Sequence, residues 1–369
     1  MRANEAVAEA RRVLEICNAC RYCEGYCAVF PAMELRRAFS DAEIDYLANL
    51  CHDCRGCYYA CQFAPPHEFG INLPKTFARI RAETYEQYAW PRALAALVRR
   101  NGLVVSLITA AAIAAVLALT MDLQAPEALY RPHTGSGAFY AVIPHATMAL
   151  VGTATFAYAL LALAMGFARF WREVGASDQP PGLRDIARAF GDVLTLRNLG
   201  GGGEGCNDRD EAFSQTRRWL HHAMFYGFFA CFAATCVATV YHYLGWIAPY
   251  PVLSAPVILG SVGGVALLVG ATGFLWVKLS ADPAPSAQEL YGAGTGLLVL
   301  LGLASLTGLA LLAWRETGAM GILLAIHLGT ILALFIVLPY SRFVHGVYRL
   351  AALIRYAMER SVSVAAERE

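Results

Sequence analysis

The sequence predicts an all-α protein: a polar, cysteine-rich helical head followed by a six-helix transmembrane bundle. Three observations carry that prediction. The chain of 369 residues is 57% hydrophobic and only 15% charged, with a mean hydropathy of +0.46, too apolar for an average soluble domain. Between positions 103 and 341, Asp, Glu, Lys and Arg vanish from several stretches long enough to cross a bilayer. Eight of the eleven cysteines fall within 17–27 and 51–61. The net charge of +1 averages a polar head with an apolar remainder and gives no ground for a nucleic-acid partner.

The head comes first, at residues 1–100. It holds no short apolar core with a small-residue cleavage site, so it is expected on the reducing side of the membrane, with its cysteines as metal ligands rather than disulfides. "CNACRYCEGYC" and "CHDCRGCYYAC" both read C-x2-C-x2-C-x3-C. In two-cluster ferredoxins three closely spaced thiolates hold one cubane and the fourth reaches across to the other. The spacing therefore assigns Cys17, Cys20, Cys23 and Cys61 to one [4Fe–4S] cluster, and Cys51, Cys54, Cys57 and Cys27 to a second. Structural zinc, which pairs two short hairpins in a tetrahedral site, fits three consecutive x2 spacings less well. Between the runs, Leu35, Phe39, Ile44, Leu47 and Leu50 recur at helical spacing, which points to a helical two-cluster ferredoxin-like head.

The spans follow. Uncharged stretches cover Leu103–Met121, Phe139–Ala168, Leu290–Trp314 and Thr317–Ser341. A fifth, Ala223–Val277, is too long for one crossing of roughly 20 residues, and "GWIAPYP" at 245–251 divides it. Six helices place both termini on one side. The resulting domains are the head at 1–100, a six-helix transmembrane domain at 101–345 with a loop at 169–220, and a tail at 346–369. The head, that loop, the 278–291 loop and the tail hold 27 Lys and Arg, against Arg131 and Arg315 on the opposite side, so the head and both termini are expected in the cytoplasm.

Histidines form the second constellation. Imidazoles within spans are costly and face the bundle interior. His145, His242 and His327 fall at the outer depth; His221 or His222, with His345, fall at the inner depth. Two rings from facing helices can take both axial positions of a b-type haem, one haem or two in number. His327 and His345 lie eighteen residues apart, which in one unbroken helix is five turns and about 27 Å. Arg342, Arg349, Arg217 and Arg218 are placed to pair with propionates of an inner haem. Cys231 and Cys236 read as small core residues, and Cys206 ends a glycine-rich stretch, Gly200–Cys206, that reads as a flexible linker.

Two resemblances rest on these residues. The segment "HLGTILALFIVLPYSRFVHGVYR" is similar to the last helix of the cytochrome b subunit of respiratory nitrate reductases, which implies haem ligation by His327 and His345. That family's earlier ten-residue histidine pair is absent here. The cysteine head, with "APPHEFGINLPK", "RRWLHHAMFYGF" and "YHYLGWIAPYP", resembles the tricarballylate/citrate-utilisation protein B family along nearly the whole chain. The resemblance implies an iron–sulfur and haem protein of the bacterial inner membrane. Such a protein would reoxidise the flavin of an FAD-dependent tricarballylate dehydrogenase and pass the electrons to quinone, as an electron-transfer component rather than a stand-alone enzyme. The head lacks a Gly-rich dinucleotide fingerprint, so a flavin belongs to another chain. The competing reading is a transporter with an iron–sulfur redox sensor, against which stands the lack of charge in the apolar stretches. A zinc-stabilised scaffold is a third.

Overall fold

The computed structural model describes residues 4–99, 102–175 and 180–366, and among them fourteen α-helices form and no strand, apart from an isolated bridge between Cys206 and Ser214. The head contains α1 (Asn4–Cys20), α2 (Val29–Glu34), α3 (Asp41–Leu50), α4 (Gly56–Tyr59), α5 (Leu73–Gln87) and α6 (Arg92–Arg99). Local chemistry sets several of their starts. Ser40 Oγ accepts from the Glu43 amide at 3.3 Å to cap α3, and Asn72 Oδ1 accepts from the Lys75 amide at 3.2 Å to cap α5, with Pro74 in its first turn. Phe39, Ile44, Leu47 and Leu50 are buried as their spacing predicts, whereas Leu35 is exposed.

The spans are α7 (Gly102–Leu123), α8 (His145–Val174), α10 (Thr216–Tyr243), α11 (Ala255–Leu279), α12 (Tyr291–Trp314) and α13 (Met320–Val337). All six are long and apolar enough to cross a membrane. Between apolar helices in lipid, close approach depends on small residues. At the α10–α11 contact a Cβ on Gly227 would lie 2.5 Å from the Leu267 nitrogen, and one on Gly263 would lie 2.8 Å from the Ala230 Cβ. Two further helices lie off the spans: α9 (Leu183–Leu194) and α14 (His345–Ala366).

The unbroken helix expected from His327 to His345 is not formed. After Val337 the chain makes two short 3-10 turns on either side of Ser341, whose backbone is extended at φ −93°, ψ −177°. Pro339 has no N–H to offer the Phe335 carbonyl. The Ser341 hydroxyl donates to Leu338 O at 3.0 Å and accepts from the Phe343 amide at 3.2 Å. His345 therefore opens a new helix, and the two histidines do not share one helical face.

That new helix returns to the head. Val344, Tyr348, Ala351, Ala352 and Leu353 of this segment share one apolar core with Leu14, Phe30, Met33, Ile44 and Leu47. Beside it, Arg355 donates to Glu43 at 2.6 Å and to Glu359 at 3.0 Å, and Tyr46 donates to Glu359 at 2.9 Å. Arg36 pairs with both carboxylates. Residues that the sequence offers as a tail thus clamp the head from the far end of the chain.

Candidate cofactor sites

The first cysteine run leaves the end of α1, where Arg21 turns the chain at φ +54°. The second leaves the end of α3 through Asp53 and Arg55, at φ +59° and +67°. These turns fold each run back on itself, and two adjoining cavities result. Cys17, Cys20, Cys23 and Cys61 line the first, walled by Ile16, Phe30 and Phe63, and Cys57 lines it as well as the second. Cys27, Cys51, Cys54 and Cys57 line the second, walled by Val29, Leu73 and Pro74. All eight are free thiols. Burial, then the neighbouring Cys61, pushes the Cys17 and Cys23 thiols up to about 12. Cys27 and Cys57 also rise, by burial and then Cys54. Thiols so placed ionise readily only when a cationic centre takes their charge. Four soft donors around each apolar chamber fit a thiolate-held cluster. Among the described residues, no three His, Cys, Asp or Glu side chains converge closely enough to hold a single ion.

The glycine stretch expected to be a linker is instead packed over the second cavity. Residues Arg197–Gly203 form a 3-10 turn, and a Cβ on Gly201 would lie 3.7 Å from Cys54 Sγ. Gly201, Gly203 and Gly205 take φ +51°, +127° and +129°, conformations that only glycine adopts freely. The Asn207 amide donates to Cys54 O at 2.9 Å. Cys206 is fully buried and donates to Leu199 O at 2.8 Å. Of the span cysteines, Cys231 packs against the bundle core while Cys236 is exposed.

Below this run lies a cationic layer. Arg349 donates to Cys51 O at 2.9 Å, Arg81 donates to Ala48 O at 3.1 Å, and Arg217 donates to Asp53 O at 2.6 Å and approaches Asp208 at 3.3 Å. Burial works to raise the Asp53 carboxyl, but Arg81, Arg55 and Arg217 outweigh it and hold the group below the usual carboxylate range. Burial also lowers Arg349 to about 10. Arg218 lies apart, donating to Thr195 O at 2.9 Å.

The histidines fall into three places. His345 faces His221, with ring centres 6.0 Å apart and planes at 83°. His222 instead contacts Trp219 and Tyr226. His345 Nδ1 is bonded to the Arg342 carbonyl, which leaves Nε2 for another partner, and His221 Nδ1 is buried without a hydrogen bond. Arg342 reaches Leu290 O at 3.1 Å across Gly294, where a Cβ would come within 2.8 Å of its Nε. Two imidazoles on opposite sides of one iron, each nitrogen about 2 Å from the metal, have ring centres roughly 6 Å apart; the His221–His345 pair fits that spacing.

At the other end, His145 and His242 stack at 3.5 Å and 13°, with Tyr140 Oη 3.1 Å from His242 Nδ1. That separation does not fit an iron between the rings. His327 is placed elsewhere, its Nδ1 3.0 Å from Thr307 Oγ1 and its ring over Gly308, so the expected outer trio is a pair and a single residue. Sequence reasoning missed His52. It is buried beside Cys51, with Nδ1 2.9 Å from Leu50 O. Burial, then Arg349, lowers both His52 and His345 and keeps them neutral. A histidine inside a cysteine run was the available signal.

The profile of the citrate utilization protein B family matches residues 96–366, which hold all six spans and α14, and that of its Fer4-like domain matches residues 10–89, which hold both cysteine runs. The chain belongs to the citrate utilization protein B family. A citrate utilization protein B of Escherichia coli is 49% identical over 358 residues, 96% of this chain and 93% of that relative. No solved structure matches. Membership of this family joins a Fer4-like head to a multi-pass membrane bundle in one chain, the architecture expected from the cysteine runs and the six apolar stretches.

Proposed function

We propose that this member of the family is a membrane electron carrier. It takes electrons from a flavoprotein, by resemblance an FAD-dependent tricarballylate dehydrogenase, and delivers them to quinone, with the head and both termini in the cytoplasm at the inner membrane. The single observation that supports it best is the crossed arrangement of thiols: Cys61 joins Cys17, Cys20 and Cys23, and Cys27 joins Cys51, Cys54 and Cys57. In this reading each set would hold a [4Fe–4S] cluster, and His221 and His345 would hold a haem b, with Arg342 and Arg349 as the cations available to its carboxylates. When bound, these groups would supply one-electron carriage.

The chain's own residues do the rest. The thiols lose their protons on loading, which removes the cost that burial places on them as free thiolates. Arg81 and Arg349 lie against the backbone of Cys51, so positive charge sits beside the second set and would favour added negative charge there. Ile16, Phe30 and Phe63 give the first cavity apolar walls, and Val29, Leu73 and Pro74 do so for the second. His345 keeps its Nε2 available because Nδ1 is committed to the Arg342 carbonyl. The stacked outer histidines take no part in this account. Anaerobic reduction of the protein by the tricarballylate-reduced dehydrogenase, followed by EPR and haem spectra, tests the reading. Bleaching and haem reduction are expected; a protein that stays oxidised while dithionite reduces it would refute the donor.

A further inference from the structure

α9 carries two unlike faces. Asp185 accepts from the Ser361 hydroxyl at 2.7 Å, Arg188 donates to Ser361 at 3.2 Å, and Ala189 is fully buried in the core shared with α14. The other side presents Leu183, Ala187, Phe190 and Leu194, all exposed, with Leu183 at 86%. Steps of four, three and four residues put these side chains in one stripe along the helix. Arg184 borders the stripe and is exposed, and Arg188, one turn on, is held toward α14 by Ser361.

The end of this helix is fastened to a span. Leu194 O accepts from the Tyr226 hydroxyl at 2.8 Å, and Thr195 O accepts from Arg218 at 2.9 Å. Arg218 and Tyr226 lie in the first three turns of α10. Trp219 and Tyr226 on those turns are themselves exposed, at 69% and 50%, as aromatic side chains are at a membrane–water boundary. The apolar stripe of α9 and the aromatic rim of α10 are therefore one continuous surface at the depth where the span enters the bilayer.

We infer that α9 lies in the plane of the cysteine-side leaflet, with Leu183, Ala187, Phe190 and Leu194 among lipid acyl chains and Arg184 reaching up to the headgroups. An amphipathic helix with basic residues beside its apolar face takes this position. A protein occupant would have to displace the acyl chains that surround the adjoining α10 rim. The placement also has a structural consequence. One residue beyond Thr195, the chain turns at Leu196 and begins the glycine segment over Cys54, so the bilayer surface anchors the cover of the second cysteine cavity.

Photo-crosslinking of the full-length chain tests this. The variants Leu183→p-benzoylphenylalanine and Phe190→p-benzoylphenylalanine are placed in nanodiscs of phosphatidylcholine and phosphatidylglycerol, irradiated and analysed by mass spectrometry. Val262→p-benzoylphenylalanine, at an exposed position within α11, serves as the lipid-facing reference, and Tyr22→p-benzoylphenylalanine on the head as the aqueous one. Lipid adducts are expected at 183 and 190 at a yield within about two-fold of that at 262, and none at 22. Two results would overturn the inference: no lipid adduct at 183 and 190 while 262 labels, or cross-linked copies of the chain from those positions in place of lipid adducts.

Discussion

Cys61 closes the second cysteine run in sequence but faces the thiols of the first in space. Its replacement by Ser should therefore abolish the EPR signal that is also lost when Cys17 or Cys20 is replaced, and spare the signal lost with Cys54→Ser. Loss of the second signal instead would contradict the crossover. The spacing made this legible, because a three-residue gap after three close cysteines turns the fourth away from its neighbours. The choice between His221 and His222 was not legible. Adjacent residues on a helix point about 100° apart, and only the packing of α10 against the start of α14 decides which one meets His345. His221→Ala should remove about all of the haem that pyridine haemochrome assay detects, whereas His222→Ala should retain more than about half of it, because this ring faces Trp219 and Tyr226 rather than a second imidazole.

At the scale of elements, the join between α14 and the head rests on two arginines, two carboxylates and Tyr46. Burial works to raise Glu43, and its bonds to Arg36 and Arg355 overcome this and lower it. A carboxylate with a depressed folded value contributes stability above its unfolded value and loses it as pH falls through the folded one. Glu43→Gln leaves two buried guanidinium groups with one carboxylate and should cost about 3 kcal/mol near pH 7. That cost should shrink as pH falls through the acidic carboxylate range. Thermal unfolding in detergent at pH 7 and at about pH 4 checks it; an equal loss at the two would show that the charge is immaterial. Nothing local announces this clamp, since Arg36 and Glu359 lie 323 positions apart. The helix break was partly written in Pro339, but whether a proline kinks or ends a helix depends on the neighbours that re-satisfy the freed carbonyl. The glycine stretch misled for a related reason. Glycines suit a slack linker and equally a tight turn at positive φ, and only contact with Cys54 separates the two.

Across the whole molecule, hydropathy made the number and order of the six spans readable, though α8 and α10 begin six and seven residues away from the uncharged stretches, because a bilayer tolerates only helices whose backbone is internally satisfied. The charge distribution adds a side. With 27 of 29 Lys and Arg in the head, the tail and the two loops assigned to the same side, a reporter fused to the carboxyl terminus should be active only as a cytoplasmic fusion; activity on the outer side would overturn the orientation. What sequence left open was the return of the last helix to the head, which binds the cysteine cavities to the mouth of the bundle through Arg349 and His345. The most direct test of the whole account is the metal content of protein purified without oxygen, read together with low-temperature EPR after dithionite reduction. Two clusters predict about eight non-haem irons and about eight acid-labile sulfides per chain, with two interacting signals. Colourless, EPR-silent protein carrying about one zinc per cysteine run would contradict it.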